Sequence, residues 1–297
     1  MQLGCHTITW GGVVGHAQGV TSVKDLFYRA NGSMELALRE IAAAGFTGTE
    51  MFDGNVADYA ASPQSLRDLL EDNGLTLVSV YAGANFIYDD LLDDELDRVT
   101  QACRLAQAVG AERLVVGGGA RRARGTREQD YDALATALDK VTDLAEDHGL
   151  VATYHPHLST IVESPSELER LLPRTRIGFC PDTAHLAAGG GNPAELIRRY
   201  PDRVRHVHLK DLRKEPFAFL PLGQGDLDFR DILRAVAETG YDSWLMVELD
   251  SYDGDPAQAA GISKTFLDGL LDELGLTPTT SAPLVAAAGR LSSGVSQ

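Results

Sequence analysis

Short runs of Val, Ile, Leu and aromatic residues alternate with longer amphipathic runs, and the alternation occurs eight times along the chain. The short runs are Gln2–Thr7, Gly48–Phe52, Thr76–Tyr81, Arg113–Gly117, Val151–His155, Arg176–Cys180, Val204–Leu209 and Ser243–Leu249. Their near-continuous apolar character is that of parallel strands buried on both faces. The longer runs predict helices over Met34–Ala44, Gln64–Asn73, Asp94–Val109, Asp130–His148, Ser164–Leu172, Pro193–Tyr200, Phe229–Thr239 and Pro256–Leu274. Boundary signals agree: Ser33 precedes the first helix and Gly45 follows it, while Ser62-Pro63 opens the second and Gly74 ends it. Ser as N-cap, Pro near the first position and Gly past the end are the residues that helix termini favour. Eight strand–helix units in about 275 residues predict an α/β protein with a single (β/α)8 TIM barrel. An open doubly wound sheet fits less well, because it usually has fewer units and its spaced glycines after the first strand are missing. Residues 1–275 are expected to form the barrel. Residues 276–297, rich in Pro, Thr, Ser, Ala and Gly, are expected to form a tail that is flexible or lies on a partner.

Composition narrows the function more than the fold. With 44% hydrophobic residues the chain of 297 can bury a sizeable core, which sets it apart from disordered sequences. Forty-three acidic against 26 basic residues give a net charge of −17, which disfavours nucleic acids and anionic membranes as partners. No apolar stretch approaches the ~20 residues of a membrane span. The start, Met-Gln-Leu-Gly-Cys-His, has no charged segment followed by an apolar one, so no secretion signal is expected. Cys5, Cys103 and Cys180 are few, odd in number and far apart, which predicts reduced core thiols in a cytoplasmic protein.

In such a barrel, active groups sit at the C-terminal ends of the strands. The polar residues there are His6 and Trp10, then Glu50, then Tyr81 and Asn85, then only glycines at 117–119. The later strands are richer: His155 and His157, Asp182 and His185, His206, His208, Lys210 and Asp211, and finally Glu248 with Asp250 beyond. Four neighbouring strands thus offer one potential metal ligand each, His155, Asp182, His208 and Glu248. Imidazole plus carboxylate suits Mn2+, Fe2+, Co2+ or Zn2+ better than Ca2+. Singly, each has a plainer reading: Asp182 as the cap of a segment through Ala187, Glu248 as a salt-bridge partner, a strand-end His as a hydrogen-bonded structural group. Their joint occurrence at one end of the strands favours the metal site. The glycine runs at 117–119 and 189–191 do not resemble a phosphate-binding loop and are expected to be flexible.

The series Cys180-Pro-Asp-Thr-Ala-His185, His206-Val-His-Leu-Lys-Asp211, Leu222-Gly-Gln-Gly225 and Gly240-Tyr-Asp-Ser-Trp-Leu-Met-Val-Glu248 resembles the xylose-isomerase-like TIM barrels, the sugar phosphate isomerase/epimerase family. Gly4-Cys-His-Thr-Ile-Thr-Trp10 and Gly45-Phe-Thr-Gly-Thr-Glu50 extend the resemblance over essentially residues 1–275. It implies a metal held by an acidic residue of the fifth strand, Asp182, His208 and Glu248. Here Tyr154-His-Pro-His157 puts His155 where that acidic residue normally stands. In this the chain is similar to the inosose dehydratase branch and to the catalytic subunits of C-glycoside deglycosidases. Two carboxylates and two neutral imidazoles balance a divalent ion to zero, which leaves it a stronger Lewis acid toward a ketone than three carboxylates would. Mn2+ is the first expectation for the cofactor, with Mg2+, Co2+, Fe2+ and Zn2+ as alternatives.

The resemblance further implies that epimerases of this family use two glutamates facing the substrate from opposite sides; losing one makes two-base epimerisation harder and favours a lyase that needs one base and one acid. The expected base is Glu248 or His157, with His157 and His185 able to donate to hydroxyls or shuttle protons. His185 could instead only orient Asp182. Trp10, Glu50, Tyr81 and Lys210 are expected to bind the carbohydrate substrate, although Trp10 could equally pack in the core and Lys210 could pair with Asp211. His206, two residues before His208, points the same way but lies deeper and is expected to be structural. The alternative activity is isomerisation or epimerisation by the same enolisation. A non-catalytic subunit is disfavoured by the intact ligand set. An endonuclease-IV-like repair enzyme is rejected, because the third and fourth strands end in Tyr81-Ala-Gly and Gly117-Gly-Gly rather than histidines and the surface is acidic. A homo-oligomer, or a hetero-oligomer with a small partner subunit, is expected.

Overall fold

The structure, a computed structural model, describes residues 1–11, 27–250 and 252–276. From position 277 onward the expected tail lies outside the described residues. The elements in chain order are β1 (Gln2–His6), a 3-10 turn (Thr7–Trp10), α1 (Met34–Ala43), β2 (Gly48–Phe52), α2 (Asp53–Ala57), α3 (Pro63–Asp72), β3 (Thr76–Ala84), α4 (Asp89–Val109), β4 (Arg113–Gly118) and α5 (Glu128–Asp147). They continue with β5 (Val151–Tyr154), α6 (Pro165–Leu171), β6 (Gly178–Phe179), α7 (Thr183–Ala188), α8 (Pro193–Arg199), β7 (Val207–Leu209), β8 (Asp211–Arg213), β9 (Ala218–Leu220), α9 (Phe229–Glu238), β10 (Trp244–Val247) and α10 (Pro256–Leu274).

Eight parallel strands run side by side in the order β6-β5-β4-β3-β2-β1-β10-β7. The two ends of that row meet. Phe179 bridges to Val204 and Asp182 to His208, with the His208 N–H donating to the Pro181 carbonyl at 3.0 Å. The chain is therefore a single (β/α)8 TIM barrel, as the alternation predicts.

Residues two apart on a strand share a face, so the barrel interior fills in layers. Val78, Trp244 and Met246 pack together at the bottom. Gly4 and Gly48 face them with no side chain because there is no room: a Cβ on Gly48 would lie 2.4 Å from the Trp244 ring, and one on Gly4 2.7 Å from the Met246 methyl. Two residues further up, these strands carry His6, Glu50 and Glu248, so the polar layers rest on an apolar floor.

The helices start and stop as their sequences dictate. Ser33 caps α1 by accepting from the Leu36 N–H, and Ser164 and Glu167 form a reciprocal capping box on α6. Gly110 ends α4 in the left-handed conformation that glycine adopts without strain.

Several boundaries differ from the sequence expectation. β3 runs three residues past Tyr81 to Ala84, and α4 begins at Asp89, five residues early. β6 and β7 are shorter than their apolar runs because the barrel closes there through single bridges. The glycines at 117–119 are close-packed rather than loose. A Cβ on Gly117 would fall 1.9 Å from the Tyr81 hydroxyl, and Gly118 and Gly119 sit at φ of 114° and 91°. The hairpin of β8 and β9, an insertion after β7, carries too few alternating positions to be read as strand.

Candidate active site

The ends of β1, β2, β5, β6, β7 and β10 bring His6, Glu50, His155, Asp182, His208, Lys210, Glu248 and Asp250 together, all buried. Asp182 is the N-cap of α7. Its Oδ1 accepts from the His185 N–H at 2.7 Å, which leaves Oδ2 without a hydrogen-bond partner. Both ring nitrogens of His155 likewise have none, and Oε2 of Glu248 meets only Nδ1 of His208, itself a potential ligand atom. A buried polar atom without a partner is costly, and so calls for a ligand or ion.

These orphaned atoms converge. Ligand atoms of Asp182, His208 and Glu248 lie within 4.8 Å of one another, as do those of His155, Asp182 and His185. The four residues singled out in the sequence thus form two overlapping groups that share Asp182, and the structure does not bring all four within one such radius. Imidazole nitrogens and carboxylate oxygens at this spacing fit a divalent transition ion.

Lys210 lies within the same cluster. Its Nζ is buried and donates to Asp250 at 2.6 Å and Glu248 at 2.8 Å, and stands 3.4 Å from Asp182. It also lies 3.1 Å from Nε2 of His185 and 5.3 Å from the Phe219 ring. Burial alone would favour a neutral lysine, but Asp182, Asp250 and Glu248 outweigh it and hold the ammonium charged. Against burial, Lys210 and His208 hold Glu248 well below the usual carboxylate range. Burial pushes Asp182 up to about 6 despite Lys210. Burial also opposes charge on His208, yet Cys180, Glu50 and Glu248 keep its pKa well above the usual value.

Hydrogen-bond partners fix the histidine tautomers. Nδ1 of His157 stands 2.7 Å from the Leu158 carbonyl, which only accepts, so Nδ1 carries the proton and Nε2 the free lone pair. Nε2 of His185 faces the Lys210 ammonium, which only donates, so the proton sits on Nδ1, an atom with no partner. The two rings are 3.7 Å apart. Burial lowers the pKa of His155, His157 and His185, so all three favour the neutral form.

The expected substrate-binding residues divide. Tyr81 borders the cluster, its ring 5.4 Å from that of His155. Glu50 lies beneath the cluster, fully buried, and meets Ser79, His206, His208 and His6 rather than open space. Trp10 points away: its indole N–H donates to Glu40 at 2.6 Å and its ring packs in the core, the plainer of its two readings. Lys210 does not pair with Asp211. That carboxylate accepts instead from the N–H groups of Leu212, Gly223, Gly225 and Leu227, and so braces the Leu222–Gly225 turn.

Besides His6, which lies beneath the cluster against Glu50, three participants were not among the site residues expected from the sequence. Asp250 follows Glu248 by two and so shares its face, a signal available in the sequence. Cys180 precedes Asp182 by two, with its sulfur grouped with His155 and His208. Phe219 arrives on the β8–β9 hairpin and packs edge-on to His185 at 5.3 Å, a contact no local pattern announces. The three cysteines are free and buried. A separate cavity of about 370 Å3, lined by residues including Arg29, Ser33 and Asp58, shares no residue with this cluster.

Comparison with known proteins agrees with the geometry. The profile of the family described as xylose isomerase-like TIM barrel matches residues 38–270. The chain is 28% identical over 274 residues to an inosose dehydratase of Lacticaseibacillus casei, covering 81% of this chain and 90% of that one. An inosose dehydratase of Clostridium botulinum (strain Alaska E43 / Type E3) is 30% identical over 259 residues, covering 76% and 84%. The solved structure of an L-ribulose 3-epimerase superposes with a TM-score of 0.70 at 16% identity, over 95% of this chain and 100% of that one. Among the described residues no helix is long and apolar enough to cross a membrane.

Proposed function

The chain belongs to the xylose isomerase-like TIM barrel family, and from that premise we propose a divalent-metal-dependent dehydratase that acts on a keto-inositol or keto-sugar. It is an enzyme of the lyase or isomerase kind. The observation that carries the reading is the convergence of potential ligand atoms of His155, Asp182, His208 and Glu248, none of them in an ordinary hydrogen bond, beside Nε2 of His157.

His155, Asp182, His208 and Glu248 would hold the ion, with Mn2+ the expected occupant. A divalent ion there supplies Lewis acidity that makes the proton next to a ketone easier to remove. His157 is the base. Its Nε2 lone pair is free, its Nδ1–H is anchored on a carbonyl, and burial keeps the ring neutral. Glu248 is the poorer base, because one oxygen accepts from the Lys210 ammonium and the other is assigned to the metal beside His208. With one base free, proton exchange from two opposite sides lacks a second partner. The proton that His157 removes from the α-carbon can pass to the hydroxyl leaving the β-carbon. One C–H and one C–O bond break, a C=C bond forms, and water departs. His185 presents its Nδ1–H as a hydrogen-bond donor to the substrate, held in that tautomer by Lys210. Tyr81 and Lys210 border the place a substrate would take.

The test is turnover of a keto-inositol by chelated and Mn2+-restored enzyme in D2O. The expected result is metal-dependent formation of an unsaturated or diketo chromophore. Full turnover without any divalent ion would sink the reading, and a deuterated isomer without that chromophore would favour the epimerase alternative.

A further inference from the structure

Glu50 stands at the centre of the barrel with its carboxylate among four donors. Its Oε2 lies 3.2 Å from Nε2 of His206 and 3.2 Å from Nε2 of His208, while Oε1 lies 3.1 Å from the latter. The Ser79 hydroxyl donates to it, and Nε2 of His6 stands 3.4 Å from Oε1. Nδ1 of His6 accepts from the Ile8 N–H at 2.8 Å, so the proton of His6 is on Nε2, on the Glu50 side. A carboxylate offers about four lone-pair sites, and four donors surround this one. All five side chains are fully buried.

The strand register makes this arrangement. Glu50 pairs with His6 of β1 on one side and with Ser79 of β3 on the other, while His206 and His208 reach it from across the barrel. Glu50 is therefore too deep to touch a substrate at the strand ends, and its one contact with the proposed metal-binding group is His208.

We infer that Glu50 is a positioning residue: by accepting the Nε2–H of His208 it fixes that ring so that Nδ1 alone faces Asp182 and Glu248. The inference rests on the metal-binding reading above. It assigns the carboxylate a place behind the ligand, where such partners set the tautomer and orientation of a metal-bound imidazole. Ser79 and His206 hold Oε2 by hydrogen bonds and His6 stands against Oε1, and together they stop the carboxylate from turning away. Glutamine at this position would break the arrangement. Its NH2 end needs a lone pair, so one of the facing imidazoles must move its proton to Nδ1.

The test uses the full chain with 15N-labelled histidine, loaded with 113Cd2+. In the wild type the expected spectrum has the His208 Nε2 protonated and the cadmium coupling on Nδ1. Glu50→Gln should weaken Cd2+ and Mn2+ binding by roughly 10- to 100-fold and abolish the single His208 tautomer, whereas Glu50→Asp should keep the Nε2–H signal. Cadmium coupled to Nε2 in the wild type, or Glu50→Gln with unchanged affinity and coupling, would overturn the inference while leaving the metal site standing. A wild type that takes up no cadmium or manganese would overturn the site itself, and the inference with it. Should Glu50→Gln fail to fold, the wild-type and Glu50→Asp spectra still decide the question.

Discussion

His157 and His185 lie ring against ring, yet their neighbours give them opposite polarity toward the cluster. The Leu158 carbonyl makes His157 a lone-pair donor and the Lys210 ammonium makes His185 a proton donor. Replacing His157 by Gln should lower kcat by about 10^2- to 10^4-fold, the usual worth of a general base. Metal content, read by elemental analysis, should stay at the wild-type level. Equal loss of metal and activity would make His157 a ligand rather than a base. Lys210→Met should act differently. It leaves Asp250, Glu248 and Asp182 without their buried counter-charge, and breaking such a cluster from one side costs about 3–5 kcal/mol. Urea unfolding in the presence of a chelator would show this, and added Mn2+ should return part of the loss. Much of the buried cluster's membership was legible in the sequence, since strand-end position and residue type select His155, His157, Asp182, His185, His208, Lys210 and Glu248 without coordinates. The sequence does not show what each polar atom touches. Glu50 reads as a substrate ligand because depth inside a barrel depends on shear between strands, which no single strand records.

At the scale of elements, the strand–helix alternation needed no tertiary information, because the spacing of apolar residues carries it and several boundaries add their own cap or glycine. Apart from the shifted ends of β3 and α4, the places where it failed share a cause. β6, β7, α7, β8 and β9 are each six residues or shorter, and their conformation is imposed by barrel closure and by Asp211 gathering the N–H groups of the following turn. The β3–β4 contact offers a direct test of packing between elements. Gly117→Ala would force a methyl group into the Tyr81 hydroxyl and should cost about 1–3 kcal/mol, as overpacking does. Adding Tyr81→Phe should recover part of that cost. Additive effects in the double-mutant cycle would mean that the two residues do not meet.

For the whole molecule, the buried histidines tie stability to pH. Burial lowers the pKa of His6, outweighing Glu50 and Glu248, which raise it, while His208 and Lys210 lower it further. Its folded-state pKa thus lies below the value near 6.5 of the unfolded chain. Its contribution to stability is complete above pH 6.5 and is lost as pH falls through the depressed folded value. Burial lowers the pKa of His155, His157, His185 and His206 in the same sense, and together they outnumber His208, whose raised pKa acts the other way, so the metal-free protein should melt at lower temperature at pH 5 than at pH 7.5. His6→Asn, whose side-chain oxygen can still accept from Ile8, should flatten that dependence, and an unchanged slope would exclude His6 as a contributor. The net charge of −17, which at first served only to exclude partners, includes a concentration of acid inside the barrel that Lys210 offsets only in part.

Asp182 divides its carboxylate between two tasks, with one oxygen closing the first turn of α7 and the other facing the cluster. Alanine there would remove a helix cap and a ligand together, whereas asparagine would keep the cap and lose the ligand. In a diverging lineage the position is thus held twice, once by folding and once by chemistry, and a descendant that had lost its activity would still keep a capping side chain there, aspartate or asparagine. His155 has no such second tie, since neither of its ring nitrogens has a partner in the fold. Among relatives of this chain, the residue at 155 rather than at 182 is the one whose replacement would report that the chemistry had changed.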